Sequence, residues 1–326
     1  FTSKGTLLVD GTHVEMRRRA RASDENRFDN LDLHFTRLGG GFTTLREYDF
    51  AGNLLWSYDN PAMHHDFLLT EDDHFLVPLW RALPEEVADQ VHGGRQDQDD
   101  NPHGMMGDDI IKIDREGNEL NRWHTWQMLD PVEDAIRPLQ GRWEWTHLNS
   151  IDLTVDGKLI ISCRNNSSVA VIDREQSEIV WKIGSPIVSL QHHATAVGDG
   201  HIQIFDNGMN RPGSLAYSRV IEVDPALTED GIGDEESIVW QYKAQPMQQF
   251  YSGHISGAQR LSMGNVLVCE GVPGRLFEVT RGGEIVWEWI TPFVTGGPDG
   301  SLRTWIYRAY RYELDHPAFA NKNLDP

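Results

Sequence analysis

A two-strand pattern recurs five times along the chain and constrains the fold more than any other feature. Each copy is a run rich in β-branched residues that ends in Asp or Thr, followed by a polar turn and a second run that ends in Trp. The copies recur at intervals of roughly 50 to 70 residues, as expected for a repeat architecture. The closing residues are Trp56, Trp123, Trp181, Trp240 and Trp287. Few segments show a helical period, so the pattern predicts an all-β protein.

After four of these hairpins, a His leads an apolar run, a polar turn and a second apolar run. The four segments are HHDFLLTEDDHFLVPLW (64–80), HLNSIDLTVDGKLII (147–161), QHHATAVGDGHIQIFDNG (191–208) and HISGAQRLSMGNVLVCEG (254–271). Each repeat thus supplies about four strands. Four-stranded units in radial repetition are typical of a β-propeller, which leaves few free sheet edges.

The two ends of the chain are left over from the five repeats. They read TLLVDGTHVEMRRR (6–19) and TWIYRAYRYEL (304–314). We expect them to supply a sixth blade, so that N- and C-terminal strands close the ring, with seven blades as the nearest alternative. No linker is evident, which favours a single propeller domain over 1–326 with an insertion at about 83–108 between blades.

Composition limits the partners. The formal net charge is −21, which argues against nucleic acid or an anionic membrane, since both bind basic surfaces. No apolar run is long enough for a transmembrane helix. A small anionic ligand stays compatible with this charge, because a few Arg and His residues can reverse the field within one pocket. The two cysteines, Cys163 and Cys269, lie in strand-like runs and are interpreted as buried thiols.

Histidines occupy equivalent places in four repeats. The first strand of each propeller blade lines the central channel, so four imidazoles are predicted to approach the axis; they belong to His65, His147, His192 and His254. The strand period of two places Asn149 on the face of His147, and Arg164 ends the next strand and is expected to lean over the channel mouth. The alternative is a purely structural role, in which each imidazole is hydrogen-bonded to a neighbouring blade.

At these residues the chain resembles the arylsulfotransferase family, the PAPS-independent aryl sulfate sulfotransferases with a six-bladed propeller. The resemblance runs from about residue 40 to the end. It is strongest in EWTHLNSIDLTVDG, NSSVAVIDREQSEIVWKIG, QHHATAV with HIQIFDNG, and YSGHISGAQRLSMGNVLVCEG followed by GRLFEVTRGGEIVWEWITPF. It implies transfer of a sulfuryl group from an aryl sulfate to a phenol through a transient sulfohistidine, with ping-pong kinetics and without a metal or organic cofactor.

Matching the family motif residue by residue gives the expected roles. His192 of QHH is the candidate nucleophile, although the doubled histidine leaves His193 open for this role; His193 is otherwise placed with the substrate-binding residues. His147 and Asn149 of HLN and Arg164 of SCR match the sulfate-binding and acid–base positions. His65 matches another channel histidine, and His254 is an additional one by repeat position. The substrate is expected to be small and anionic or aromatic.

Two other functions stay open on the sequence. The same channel is compatible with a lyase, a hydrolase or a His-ligated metalloenzyme that acts on a small anionic substrate. A non-catalytic propeller that binds a partner on its rim is the third reading. The family resemblance implies a periplasmic or secreted protein, while a cytoplasmic location stays open, and the sequence does not give the oligomeric state.

Overall fold

The computed structural model describes residues 1–11, 38–99, 104–296, 300–320 and 322. The chain divides into two compact units. Unit 1 comprises Phe1–Leu83, Pro102–Trp126 and Tyr312–Pro326, and unit 2 comprises Pro84–Asn101 and Gln127–Arg311. That both units act as one domain over 1–326 stays a prediction.

The described residues form mainly β-strands. In chain order the strands are β1 Leu7–Gly11, β2 Thr44–Tyr48, β3 Leu54–Asp59, β4 Leu68–Leu69, β5 Phe75–Ala82, β6 Gly93–Arg95, β7 Met106–Ile113, β8 Glu119–His124, β9 Ile136–Gly141, β10 Leu148–Leu153, β11 Leu159–Cys163, β12 Ser168–Asp173, β13 Glu178–Ile183, β14 His192–Ala196, β15 Ile202–Asp206, β16 Arg219–Val223, β17 Ile232–Gly233, β18 Ile238–Tyr242, β19 Gly257–Arg260, β20 Val266–Glu270, β21 Arg275–Val279, β22 Ile285–Ile290, β23 Thr295–Gly296 and β24 Leu302–Arg303. An α-helix, α1, spans Glu85–Ala88. Short 3-10 helices occur at Gln96–Gln98, Thr125–Gln127, Gly198–Gly200, Pro225–Leu227, Glu235–Ser237, Met247–Gln249 and Pro317–Phe319. No helix among the described residues is long and apolar enough to cross a membrane.

Unit 1 contains two antiparallel sheets, in the strand orders β1-β2-β3 and β4-β5-β7-β8. Its apolar core contains Leu45, Met63, Phe75 and Ile111, all fully or nearly fully buried. The first repeat tryptophan, Trp56, stacks on Phe75 at 4.4 Å between ring centroids. Its indole N–H donates to the carbonyl of Arg115 at 2.6 Å, in the turn between β7 and β8. The repeated Trp thus ties the outer strand of one sheet to a turn of the next.

Unit 2 contains three large sheets, in the orders β10-β11-β12-β13-β17, β14-β15-β16-β18 and β19-β20-β21-β22. The second strand of each sheet is buried along its whole length, which explains the continuous apolar runs LIISC, IQIFD and VLVCE. Neighbouring first strands are joined by hydrogen bonds, such as Ala194 N–H to Ser150 Oγ at 2.9 Å. The Trp240 indole donates to the Arg281 carbonyl at 3.0 Å. This bond is the counterpart of the one from Trp56 to the Arg115 carbonyl in unit 1. These blade-like sheets make the fold all-β and propeller-like.

The prediction of six blades is wrong for the part of the chain that the structure describes, which holds five blade-like sheets. The N-terminal strand β1 pairs with β2 instead of closing a ring with the C-terminal segment. Of that segment, residues 304–314 form no strand, and the backbone at its centre instead bonds to loops of unit 2. Ile306 N–H donates to the Gly271 carbonyl and the Tyr307 carbonyl accepts from Ser256 N–H. Residues 12–19 of the N-terminal stretch lie outside the described ranges.

The insertion at 83–108 lies within a sheet rather than between blades. It leaves the end of β5 and returns into β7, which are paired neighbours in register from Phe75↔Ile113 to Ala82↔Met106. The Leu83 N–H donates to the Met105 carbonyl and continues this ladder. Within the insertion, α1 is followed by β6, which pairs in parallel with β9 in a small separate sheet.

Candidate functional site

His192 opens β14 and is buried. Its Nδ1 lies 2.8 Å from Oδ1 of Asn207. The Asn207 amide nitrogen donates to the carbonyls of Ser252 at 2.7 Å and Ile255 at 3.0 Å, which sets the orientation of the amide. Oδ1 can only accept, so Nδ1 of His192 carries the proton and the lone pair is on Nε2. Burial lowers the pKa of His192 well below its ordinary value, and the charge of Arg164 lowers it further.

His193 has a protein partner at each ring nitrogen. It lies at the register shift between β14 and β15, with a left-handed φ of 52° that is uncommon for a residue other than glycine. Its Nδ1 accepts from the backbone N–H of Ala258 at 3.1 Å. Its Nε2 therefore carries the proton and donates to the hydroxyl of Tyr310 at 3.1 Å. The ring packs on Gly257, where a Cβ would come within 2.6 Å of Nδ1.

Arg164 directly follows β11 and has only neutral hydrogen-bond partners. Its Nη1 donates to Oε1 of Gln140 at 2.7 Å and to Oδ1 of Asn165 at 3.2 Å, and its Nη2 lies 3.8 Å from Sδ of Met209. Burial lowers the pKa of Arg164, and the nearby charge of Glu144 opposes this effect. Within the described residues Arg164 makes no ion pair, so this partly buried cation has capacity for an anionic ligand.

The position of Arg164 is acidic in the two other large sheets of unit 2. Cys163, Phe205 and Cys269 each pair with the start of the first strand of their sheet. The residues that follow them are Arg164, Asp206 and Glu270. Asp206 is bonded to Arg211 and Arg219, and Glu270 lies 3.2 Å from Arg275. Of these three equivalent positions, only that of Arg164 is basic, and its charge affects His192.

His147 lies in the turn before β10, with a φ of 50°. Its Nδ1 donates to the carboxylate of Glu144, which is almost fully buried. The charge of His147 reaches His192 and contributes to its lowered pKa. A carboxylate at Nδ1 fixes the tautomer and the orientation of the His147 ring.

Asn149 is fully buried and holds two segments together. Its Nδ2 donates to the Gln191 carbonyl at 2.8 Å, and its own carbonyl accepts from Nη2 of Arg308. Its Oδ1 is buried and has no hydrogen-bond partner among the described residues. The prediction that Asn149 shares a strand face with His147 is wrong, because His147 precedes the strand and the register shifts immediately after Leu148.

His254 lies in the bend before β19, and its ring meets Trp305 edge-on at 4.6 Å between centroids. Burial lowers the pKa of His254, and the charges of Arg164 and Arg303 lower it further. The charge of Arg164 thus contributes to the lowered pKa of both His192 and His254, and the charge of His147 contributes to that of His192. Unit 2 brings these predicted site residues into one neighbourhood.

His65 belongs to unit 1, in a different set of contacts. Its Nδ1 lies 2.9 Å from Nδ1 of His64, and its ring packs on Gly40. His64 stacks on Trp80 at 4.6 Å, and its Nε2 lies 3.2 Å from Oδ1 of Asp108. The prediction that a His leads the first strand of each blade holds only for His192, since the other three histidines precede their strands.

Sequence reasoning missed three residues of this neighbourhood: Asn207, Glu144 and Arg308. Asn207 directly follows β15, at the position that Asn165 has after β11, so the repeat offered a signal for it. Glu144 stands three residues before His147 and had no pattern to mark it. Arg308 lies in the C-terminal segment that was expected to form a strand, yet its charge lowers the pKa of both His192 and His193.

Two further observations concern metals and thiols. In the ranges that the structure covers, no three His, Cys, Asp or Glu side chains are grouped so that they could hold a metal ion. Cys163 and Cys269 form no disulfide and are buried, as expected, and burial raises the pKa of Cys269 to about 12.

The described residues thus form blade-like β-sheets, and in unit 2 the charges of Arg164, His147 and Arg308 contribute to the lowered pKa of the buried His192. The sequence model of one family, described as "Arylsulfotransferase (ASST)", matches residues 25–292. The chain therefore belongs to the arylsulfotransferase family.

The chain was also matched to solved structures. One is a catalytically inactive variant of virginiamycin B lyase from Staphylococcus aureus with quinupristin. It is 13% identical, the match covers 92% of this chain and 82% of that chain, and the TM-score is 0.45. A selenomethionine form of that lyase is 14% identical, with 76% of this chain and 64% of that chain covered and a TM-score of 0.41. A Bacteroides caccae protein of unknown function is 15% identical, with 60% of each chain covered and a TM-score of 0.37. The chain thus covers less than two thirds of the length of two of these proteins, the selenomethionine form and the Bacteroides caccae protein. No curated protein matches it. At these TM-scores, the likenesses do not bear on function.

Proposed function

We propose that this protein transfers a sulfuryl group from an aryl sulfate to a phenolic acceptor, with His192 as the nucleophile. The observation that carries the proposal is the state of His192: Asn207 holds the proton on Nδ1, and two guanidinium charges act on the ring. A buried neutral imidazole beside cations suits attack on an anionic ester. Membership of the arylsulfotransferase family supports a sulfotransferase-like enzyme.

In the first half-reaction, the lone pair on Nε2 of His192 forms a bond to sulfur. The sulfur–oxygen bond to the aryl group breaks, and the aryloxide leaves with the electron pair of that bond. His147, held by Glu144, is the proposed general acid and gives a proton to the aryloxide oxygen. The products are a phenol and sulfuryl-His192.

In the second half-reaction, the acceptor phenol gives its proton to His147 and its oxygen attacks the sulfur. The nitrogen–sulfur bond breaks and returns its electron pair to Nε2 of His192. The transition states of both steps spread negative charge over the peripheral sulfuryl oxygens. Arg164, which has no ion-pair partner within the described residues, is the proposed donor to these oxygens.

The contacts of the two adjacent histidines favour His192 over His193 as nucleophile. Both ring nitrogens of His193 bond to protein groups. Nε2 of His192 makes no hydrogen bond with any described residue. His193 then positions β19 and Tyr310, and His254 contributes a wall of the substrate site together with Trp305. A role for His65 in the same reaction stays a prediction.

A burst assay with 4-nitrophenyl sulfate tests the proposal. We expect one equivalent of nitrophenol from the wild type, followed by turnover only after a phenol is added. His192→Ala should lose the burst, and intact mass spectrometry should show one sulfuryl group on the wild type only. His92→Ala, at an exposed histidine of unit 2, is the matched control and should retain the burst. A full burst from His192→Ala, or none from the wild type with a panel of aryl sulfates, would overturn the proposal.

A further inference from the structure

Unit 2 has a cavity of about 210 Å³ that the reaction scheme does not use. Its walls include the apolar side chains of Pro138, Leu139 and Pro212, with Arg137 and Asn210 as polar members. A cavity of about 150 Å³ is large enough to bind benzene, so this one has room for an aromatic ring and a small substituent.

Arg137 gives the cavity its charge. Its backbone N–H is bonded to the Asn165 carbonyl at 2.7 Å, which anchors the residue. In the described part of the chain its guanidinium has no hydrogen bond, ion pair or charged neighbour, and burial lowers its pKa. A half-buried cation without a partner is unfavourable by itself, and a bound anion would relieve that cost.

The cavity adjoins the contacts of Arg164. Leu139 is followed in the chain by Gln140, and Asn210 is preceded by Met209. Gln140 and Met209 are two of the three side chains that contact the guanidinium of Arg164, the third being Asn165. Leu190, which also lines the cavity, stands two residues before His192. Chain neighbours of the cavity residues therefore belong to the proposed sulfuryl site.

We propose that this cavity binds the ring of an aromatic substrate that carries a second anionic substituent, such as a carboxylate or sulfonate, with Arg137 as its partner. This inference rests on the proposed function and specifies the substrate class. The protein has a net charge of −21, which repels dianions at long range, so binding of a dianion requires a local cation of this kind. Arg164 would hold one anionic group of such a substrate and Arg137 the other.

Calorimetric binding of two unreactive probes tests the subsite without turnover. The probes are benzene-1,3-disulfonate and benzenesulfonate. We expect the wild type to bind the disulfonate about tenfold more tightly, since a charge-assisted hydrogen bond of ordinary strength gives that ratio. Added salt should reduce the preference. Arg137→Met should bind both probes alike, Arg137→Lys should retain part of the preference, and Arg95→Met, at an exposed arginine paired with Asp97, should behave as wild type.

The readouts separate this inference from the proposed function. An equal affinity of the wild type for both probes, or an unchanged preference in Arg137→Met, would overturn the subsite even if the burst occurs. If the protein prefers the disulfonate through Arg137 but releases no burst of nitrophenol, the subsite is supported and the proposed sulfuryl transfer is contradicted. Replacing the disulfonate with 3-sulfobenzoate then shows whether the second group is read as sulfonate or as any anion. Circular dichroism melts confirm that each variant is folded.

Discussion

Nδ1 of His192 lies 2.8 Å from Oδ1 of Asn207, whose amide nitrogen is bonded to two backbone carbonyls. This arrangement leaves one tautomer of His192 available, because the amide cannot rotate without losing both carbonyl bonds. The nucleophilic nitrogen is thus set by a side chain that has no contact with substrate in the proposed reaction.

Asn207→Ala should slow the burst by about 100-fold while KM for 4-nitrophenyl sulfate changes little, because the ring of His192 is no longer held in position. The variant should also lose about 1–3 kcal/mol of unfolding free energy, since the carbonyls of Ser252 and Ile255 lose their donor. Stopped-flow kinetics and urea denaturation measure the two effects. A burst rate within twofold of wild type would remove the positioning role of Asn207.

Arg164→Met should raise KM for the aryl sulfate and lower the burst rate, with a combined loss in kcat/KM of about 100-fold or more. It should also raise the pKa of His192, because the charge of Arg164 contributes to lowering it. The acid limb of the burst-rate profile should therefore move to higher pH than in wild type. An unchanged limb with a weakened KM would mean that Arg164 binds substrate without acting on His192.

Glu144→Gln should slow donors in proportion to the basicity of their leaving group. Phenyl sulfate releases a phenoxide whose conjugate acid has a pKa near 10, like the tyrosine side chain, and needs the proton of His147. A nitrophenoxide is less basic and serves as the internal control, with a smaller loss expected. Equal losses for both donors would indicate that Glu144 only supports the structure.

Gly257→Ala should destabilise the protein by about 1–3 kcal/mol, because the new methyl group meets the ring of His193 at 2.6 Å from Nδ1. Gly198→Ala is the matched control, since a Cβ there has no neighbour within 4 Å and the backbone φ is not left-handed. The control should have unchanged or slightly higher stability. Chemical denaturation of both variants provides the comparison, and equal stabilities would contradict the packing of His193 on Gly257.

The free energy of unfolding should fall as pH decreases below about 6.5. His192, His193 and His254 all have folded-state pKa values below the ordinary one, chiefly through burial. The unfolded chain then binds more protons than the folded chain, so the contribution of these groups is complete above pH 6.5 and is lost at lower pH. The limiting slope is about 1.4 kcal/mol per pH unit for each group.

Urea denaturation at pH 7.5, 6.5 and 5.5 measures this dependence. His254→Gln removes the least buried of the three titrating groups and should reduce the slope. A wild-type stability that is flat between pH 7.5 and 5.5 would show that the three histidines keep ordinary pKa values.

The alternation of apolar and polar residues determined the strands. It is a local property of the backbone, which places successive side chains on opposite faces. The continuous apolar runs LIISC, IQIFD and VLVCE were equally local signals, of strands that are buried on both faces. The repeat also pointed to Arg164 and His192, since each stands at a strand boundary that recurs. The resemblance in these stretches led to the family that its sequence model confirms.

Only the tertiary structure decided how many sheets form and what state the histidines take. The C-terminal segment carries a strand-like pattern, yet its backbone bonds to loops instead of a neighbouring strand. The tautomer of His192 depends on Ser252 and Ile255 through Asn207, and Asn149 meets Arg308 from 159 positions away. A pattern along the chain reports only near neighbours. Hydrogen-bond partners from distant segments are set by how the sheets pack, and these partners determine which nitrogen can react.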